Sequence, residues 1–156
     1  MWFPITVALT LGGCAGTDDE TTQYLSQLQP LLQENGLLAE RVLLQSAKIY
    51  NEAVKPDQVA EAWITDIVPV AEHLHNQSSF VTPPSSYAQS HADLVLIWGD
   101  RALGYRNLGE AIQTGNTDEW NKARDLIRDV TLREEKWFDT LNTALAPSKI
   151  MVDPYP

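Results

Sequence analysis

Four long blocks of this chain repeat apolar residues at intervals of three, four and seven, and that spacing confines the fold to helices with one buried face each. The first stripe is Tyr24, Leu28, Leu31, Leu38, Val42, Ile49 and Ala53. It opens on Thr17-Asp18-Asp19-Glu20, a capping-box pattern whose acids suit the positive end of a helix. Pro30 predicts a kink or a split, because proline removes a hydrogen bond and crowds the preceding turn, and Gly36 weakens the same region. Lys55-Pro56-Asp57 breaks the chain and opens a second stripe, Val59, Trp63, Ile67, Val70 and Leu74, in which Pro69 predicts another kink. Asn76 to Pro84 reads as a loop. The third stripe is Tyr87, His91, Leu94, Trp98, Tyr105, Leu108 and Ile112, closed by Gly115-Asn116-Thr117. The fourth is Trp120, Ala123, Ile127, Val130, Trp137, Leu141 and Leu145, with dense charge on its other faces.

No strand-like alternation is sustained, and no hairpin turn signal separates β-branched runs. Short connections between four amphipathic helices predict an all-α fold, an antiparallel up-down-up-down four-helix bundle. The 156 residues suffice for one domain, and at that size a core closes without disulfides or metals. With one cysteine there is no internal disulfide, so packing alone must hold the fold. The expected division is a leader over 1–13, the helical domain over 14–146 and an irregular tail over 147–156.

The leader carries the clearest motif. Trp2 to Leu11 is almost wholly apolar, too short to span a bilayer but suited to the apolar region of a secretion signal. Leu11-Gly12-Gly13-Cys14 then resembles the lipobox of bacterial lipoproteins: an aliphatic residue, two small ones and a cysteine. The resemblance implies that Cys14 becomes the mature N-terminus, carries a diacylglyceryl group on its thiol and is acylated on its amine, for instance by palmitate. Two or three chains make a durable anchor, where one alone is marginal. It further implies a cell-envelope location, lipid-anchored on the extracytoplasmic side of a bacterial membrane. Two features depart from the family pattern: no Lys or Arg precedes the apolar run, and the run is short. The alternative is an apolar terminus docked on the domain with an incidental cysteine. Ala15 is not the aspartate that marks inner-membrane retention in some Gram-negative bacteria. The segment from Pro83 to Val95, Pro-Pro-x-x-Tyr-x-x-x-His-x-x-Leu-Val, loosely resembles segments of small helical bacterial lipoproteins without assigned activity.

A formal net charge of −10 argues against nucleic acid and against electrostatic attraction to anionic lipid heads. Catalytic and cofactor patterns are thin. Glu72-His73-Leu74-His75 supplies one Glu-x-x-His, whereas a di-iron bundle needs two, and His91 has Ala88 three residues before it. One cysteine excludes a Cys-x-x-Cys-His haem attachment. His73 and His75 point about 200° apart on a helix and converge on an ion only if the helix ends there. No Gly-x-Ser-x-Gly turn and no phosphate-cradling glycine loop is present. The expectation is therefore no enzyme, no cofactor and no metal site.

The most informative polar residues are His91 and Glu134, each on the apolar stripe of its own helix. Buried polar groups need partners, so the two are expected to meet, either as a register-fixing hydrogen bond or as the lining of a ligand pocket walled by tryptophans. The reading that follows is a membrane-anchored envelope lipoprotein with a non-catalytic binding or adaptor domain. Its alternative is a small-ligand or metal-binding lipoprotein with a pocket in the bundle core.

Overall fold

The computed structural model describes residues 17–50 and 54–153, and every regular element among them is helical. Helix α1 spans Thr17–Ile49. Helix α2 (Pro56–Ala62) runs through a π-helical turn (Trp63–Ile67) directly into α3 (Val68–Ser78). A 3-10 turn (Ser85–Tyr87) leads into α4 (Ala88–Thr114), and α5 (Thr117–Leu145) ends in another (Ala146–Ser148). The Cys14 lipidation site lies outside the described residues, as does Ala53 of the first stripe.

The two internal prolines behave differently from each other. Pro30 neither splits nor ends α1, contrary to the sequence expectation. It lies on the exposed side, where the carbonyl it leaves without a donor faces water and the helix continues past it. Pro69 does disturb its helix. Lacking an N–H, it cannot extend the regular ladder, and the turn before it widens so that the Val68 N–H donates to the Trp63 carbonyl. The extra residue rotates the buried face. Before the π turn the buried positions are Val59 and Ala60, within it Trp63 and Ile67, and after it Val68, Ala71, Leu74 and Ser78. Helix α3 continues into the stretch the sequence assigned to a loop, leaving only 79–84 as the connection.

The α4–α5 turn follows its sequence. Gly115 takes the left-handed conformation (φ 65°) that closes α4. The Asn116 side chain then accepts from the N–H groups of Asp118 and Glu119, both at 3.2 Å, opening α5.

Three sets of contacts relate the helices. Between α4 and α5, Trp137 bonds the Ser90 carbonyl, Glu134 meets Arg101, and Ile127 faces Gly104, so residue numbers fall along one helix as they rise along the other. Gly104 permits the close approach: a Cβ there would lie 2.9 Å from the Ile127 Cγ1. Between α3 and α4, Ser78 meets His91, His75 meets Val95 and Glu72 pairs with Arg106, again in opposite order. Between α1 and α4 the order is the same in both, with Tyr24 at His91 and Asn35 at Arg101.

The helices enclose one core. Trp63, Trp98 and Trp137 are buried within it as large fillers, while Trp120 is half-buried beneath the Arg124 guanidinium. Residues 149–153 have no regular structure but are tied down: the Asn142 side chain bonds both the N–H and the carbonyl of Val152. No described helix is long and apolar enough to cross a membrane.

Candidate functional site

His91 and Glu134 are both buried, yet no hydrogen bond joins them, and this corrects the sequence expectation. Glu134 on α5 takes the side chains of Trp98 and Arg101, and His91 lies seven residues before Trp98 on α4, about 10 Å along the axis. Two separate polar clusters result, one at each level.

The first cluster joins three helices. Arg101 grips Glu134 bidentately, Nη1 to Oε1 at 2.7 Å and Nη2 to Oε2 at 2.5 Å. Trp98 Nε1 donates to Oε1 at 2.8 Å. Asn35 on α1 completes the set: its Oδ1 accepts from Arg101 Nη1 at 2.7 Å, and its Nδ2 donates to Glu134 Oε1 at 3.3 Å. Sequence reasoning missed Arg101 and Asn35. Their signal was positional, since Arg101 continues the run Leu94, Trp98, Tyr105 and Asn35 falls between Leu32 and Leu38. A carboxylate that receives this many donors has little hydrogen-bonding capacity left for a ligand, and an arrangement that ties three helices together in this way suits the fixing of helix register.

The second cluster closes the end of the core where α1 begins, α3 ends and α4 begins. The Ser78 carbonyl can only accept, so His91 Nε2 carries the proton donated to it (2.9 Å) and Nδ1 accepts from the Tyr24 hydroxyl (3.2 Å). Tyr24 stacks on Tyr87 and meets the His91 ring edge-on. Burial lowers the His91 pKa from its ordinary 6.5, opposed by the bond to Ser78, and burial together with the neighbouring Tyr87 raises that of Tyr24. The consequence for pH has a definite sign. The unfolded chain protonates this histidine more readily than the fold does, so the stability held by neutral His91 is complete above pH about 6.5. It is lost as pH falls towards the lowered folded value. Urea midpoints measured from pH 7.5 to 5 should fall less steeply for His91→Gln than for the wild type. Identical slopes would remove this histidine from the pH dependence.

The remaining histidines do not converge. His75 Nδ1 donates to the Val95 carbonyl at 3.0 Å, while exposed His73 lies 3.8 Å from Glu34. Among the described residues no group of three or more His, Cys, Asp or Glu is placed to hold a metal ion.

The accessible site is on the surface. A cleft of about 550 Å³ lies between the second half of α1 and the π-helical turn. Beyond Leu38 no described residue of α1 is buried, so this half of the helix stands against the rest with its flank open. Leu44, 66% exposed, and buried Ile67 supply apolar surface, and Arg41 and Lys48 lie about two helical turns apart on the α1 wall, one to either side of Leu44. Neither cation has a carboxylate partner among the described residues, although the chain holds 21 acids against 11 bases. Asp66 on the opposite wall is within 3.0 Å of the Thr65 hydroxyl. Gln45 Oε1, also in the cleft, is out of solvent with no hydrogen-bond partner. A smaller cleft of about 180 Å³ sits beside the Gly115 turn, and neither cleft is lined by His91 or Glu134.

Comparison of the chain with protein-family models, with curated proteins and with solved structures finds no match in any of the three.

Proposed function

We propose that this protein is a lipid-anchored lipoprotein of the bacterial cell envelope, whose non-catalytic helical domain is an adaptor that takes an acidic, amphipathic segment of a partner protein into the α1 cleft. The helices would form an antiparallel up-down-up-down bundle, a reading supported by the opposed residue order at the α4–α5 and α3–α4 contacts and the shared order of α1 and α4. The lipobox-like Leu11-Gly12-Gly13-Cys14 supports the anchor.

One observation carries the binding function: two cations without carboxylate partners among the described residues flank exposed Leu44 in a cleft of an otherwise strongly acidic chain. Leaving them unpaired serves a partner that brings the missing charge, and the apolar strip between them suits one face of a helix. The alternative pocket in the core draws little support, because His91 and Glu134 are filled by internal partners.

A photo-crosslinking residue at Leu44, installed in producing cells, tests the proposal, with a second at Leu103 on the outer side of α4 as control. The expected result is one partner crosslinked at Leu44 and not at Leu103, through a peptide rich in Asp and Glu. Its yield should drop about tenfold in Arg41→Glu/Lys48→Glu, since facing like charges cost more than a lost pair. A crosslink indifferent to those two charges would sink the cleft reading. A mass for the N-terminal peptide matching unmodified Cys14 would sink the anchor.

A further inference from the structure

The two most exposed large apolar side chains among the described residues are Phe80 and Met151, at 78% and 80%. They belong to separate segments, the α3–α4 connection and the stretch after α5. The fold brings both to one end. Phe80 follows Ser78, whose carbonyl holds His91, and His91 in turn bonds Tyr24 near the start of α1. Met151 precedes Val152, which is clamped to Asn142 in the last turns of α5, beyond the Trp137–Ser90 contact with the start of α4. Their chain neighbours Val81, Ile150 and Val152 are half-buried and packed against the core.

This is also the end at which α1 begins, and Cys14 precedes Thr17 by three residues, a span of at most about 10 Å. A lipid on Cys14 therefore holds the bilayer surface against this end of the domain and against no other. We infer that the end carrying Phe80 and Met151 is a membrane-facing surface, its two side chains entering the boundary between headgroups and acyl chains of the bilayer that holds the anchor. The inference rests on the lipoprotein reading above. Its chemistry is apolar insertion into a neutral lipid surface, because a chain of net charge −10 gains nothing from anionic headgroups. Insertion at two points resists tilting and stands α1 away from the membrane. Arg41 and Lys48 then lie about 36 and 46 Å along α1 from its first turn, so the cleft opens far from the lipid.

The test uses protein extracted from membranes of producing cells and reconstituted into phosphatidylcholine vesicles, with backbone amide exchange read by mass spectrometry. The same spectra report the mass at Cys14. If that thiol is unmodified, the lipoprotein reading falls, and coupling it to a maleimide lipid still tests the docking surface by itself. The expected result is exchange at 79–83 and 149–153 slowed several-fold in vesicles relative to Phe80→Ser/Met151→Ser, with the 113–117 turn unchanged in both. The exposed positions of the two side chains let that variant fold. For the chain beginning at Ala15, without leader or lipid, the same pair of changes should weaken partitioning into vesicles about tenfold or more, with little dependence on salt. Equal exchange in wild type and variant would overturn the inference. So would protection already present without vesicles: unchanged on dilution, it would assign the surface to the chain's own 1–13 segment, and concentration-dependent, to a second copy.

Discussion

Arg101→Ala should lower the free energy of unfolding by about 3–5 kcal/mol, because it leaves the buried Glu134 carboxylate without its cation. Against a typical total of about 5–15 kcal/mol the variant would be marginal, with a thermal midpoint reduced by about 10 °C. Glu134→Gln keeps the shape but removes the charge facing the guanidinium, and should also lower stability. The triple change Asn35→Leu/Arg101→Met/Glu134→Leu separates lost attraction from stranded charge. It removes every charged member and should recover much of the stability, short of wild type by the orphaned Trp98 N–H. Urea unfolding followed by helical circular dichroism reads all three. A triple variant less stable than Arg101→Ala would mean that the pair is a net source of stability rather than a device for register.

Trp98→Ala should cost about 3–5 kcal/mol through the cavity it opens, and the conservative change to Phe separates packing from hydrogen bonding. Trp98 and Trp63 are both 1% exposed. Trp98 Nε1 donates to a carboxylate, whereas Trp63 Nε1 has no hydrogen-bond partner and its ring packs edge-on against Tyr105. Trp98→Phe therefore loses a hydrogen bond to a charged acceptor, worth about 1.5–3 kcal/mol, on top of the lost ring area. Trp63→Phe loses only the area. Chemical unfolding of the two variants should rank Trp98→Phe clearly the less stable. Equal losses would show that Glu134 is held by Arg101 and Asn35 alone.

What the sequence made legible was local. Helix periodicity marked the helical blocks, and Gly115-Asn116 marked a real C-terminus and N-cap because both signals act within a few residues. It misjudged Pro30 because the cost of a mid-helix proline depends on whether the freed carbonyl meets water, and exposure is not written in spacing. That Pro69 would disturb its helix was legible, but not the form, a π turn that re-phases the buried face. At the polar clusters the sequence identified two members and paired them with each other. Five residues went unrecognised as partners: Asn35, Trp98 and Arg101 at Glu134, and Tyr24 and the Ser78 carbonyl at His91.

The sequence by itself determined an all-helical chain with one apolar stripe per block, the glycine–asparagine turn between α4 and α5, and the burial of His91 and Glu134, since each interrupts an apolar stripe. Only the tertiary structure decided which polar group meets which. That choice depends on the axial offset between neighbouring helices, which here sets Glu134 opposite Arg101 and leaves His91 to Tyr24 and the Ser78 carbonyl. It also decided that the open flank of α1 would meet the π turn to form a cleft, and that Phe80 and Met151, distant in sequence, would share one end. Periodicity within a helix specifies a face, whereas the level at which two faces meet is set by side chains on both, and no single segment contains that information.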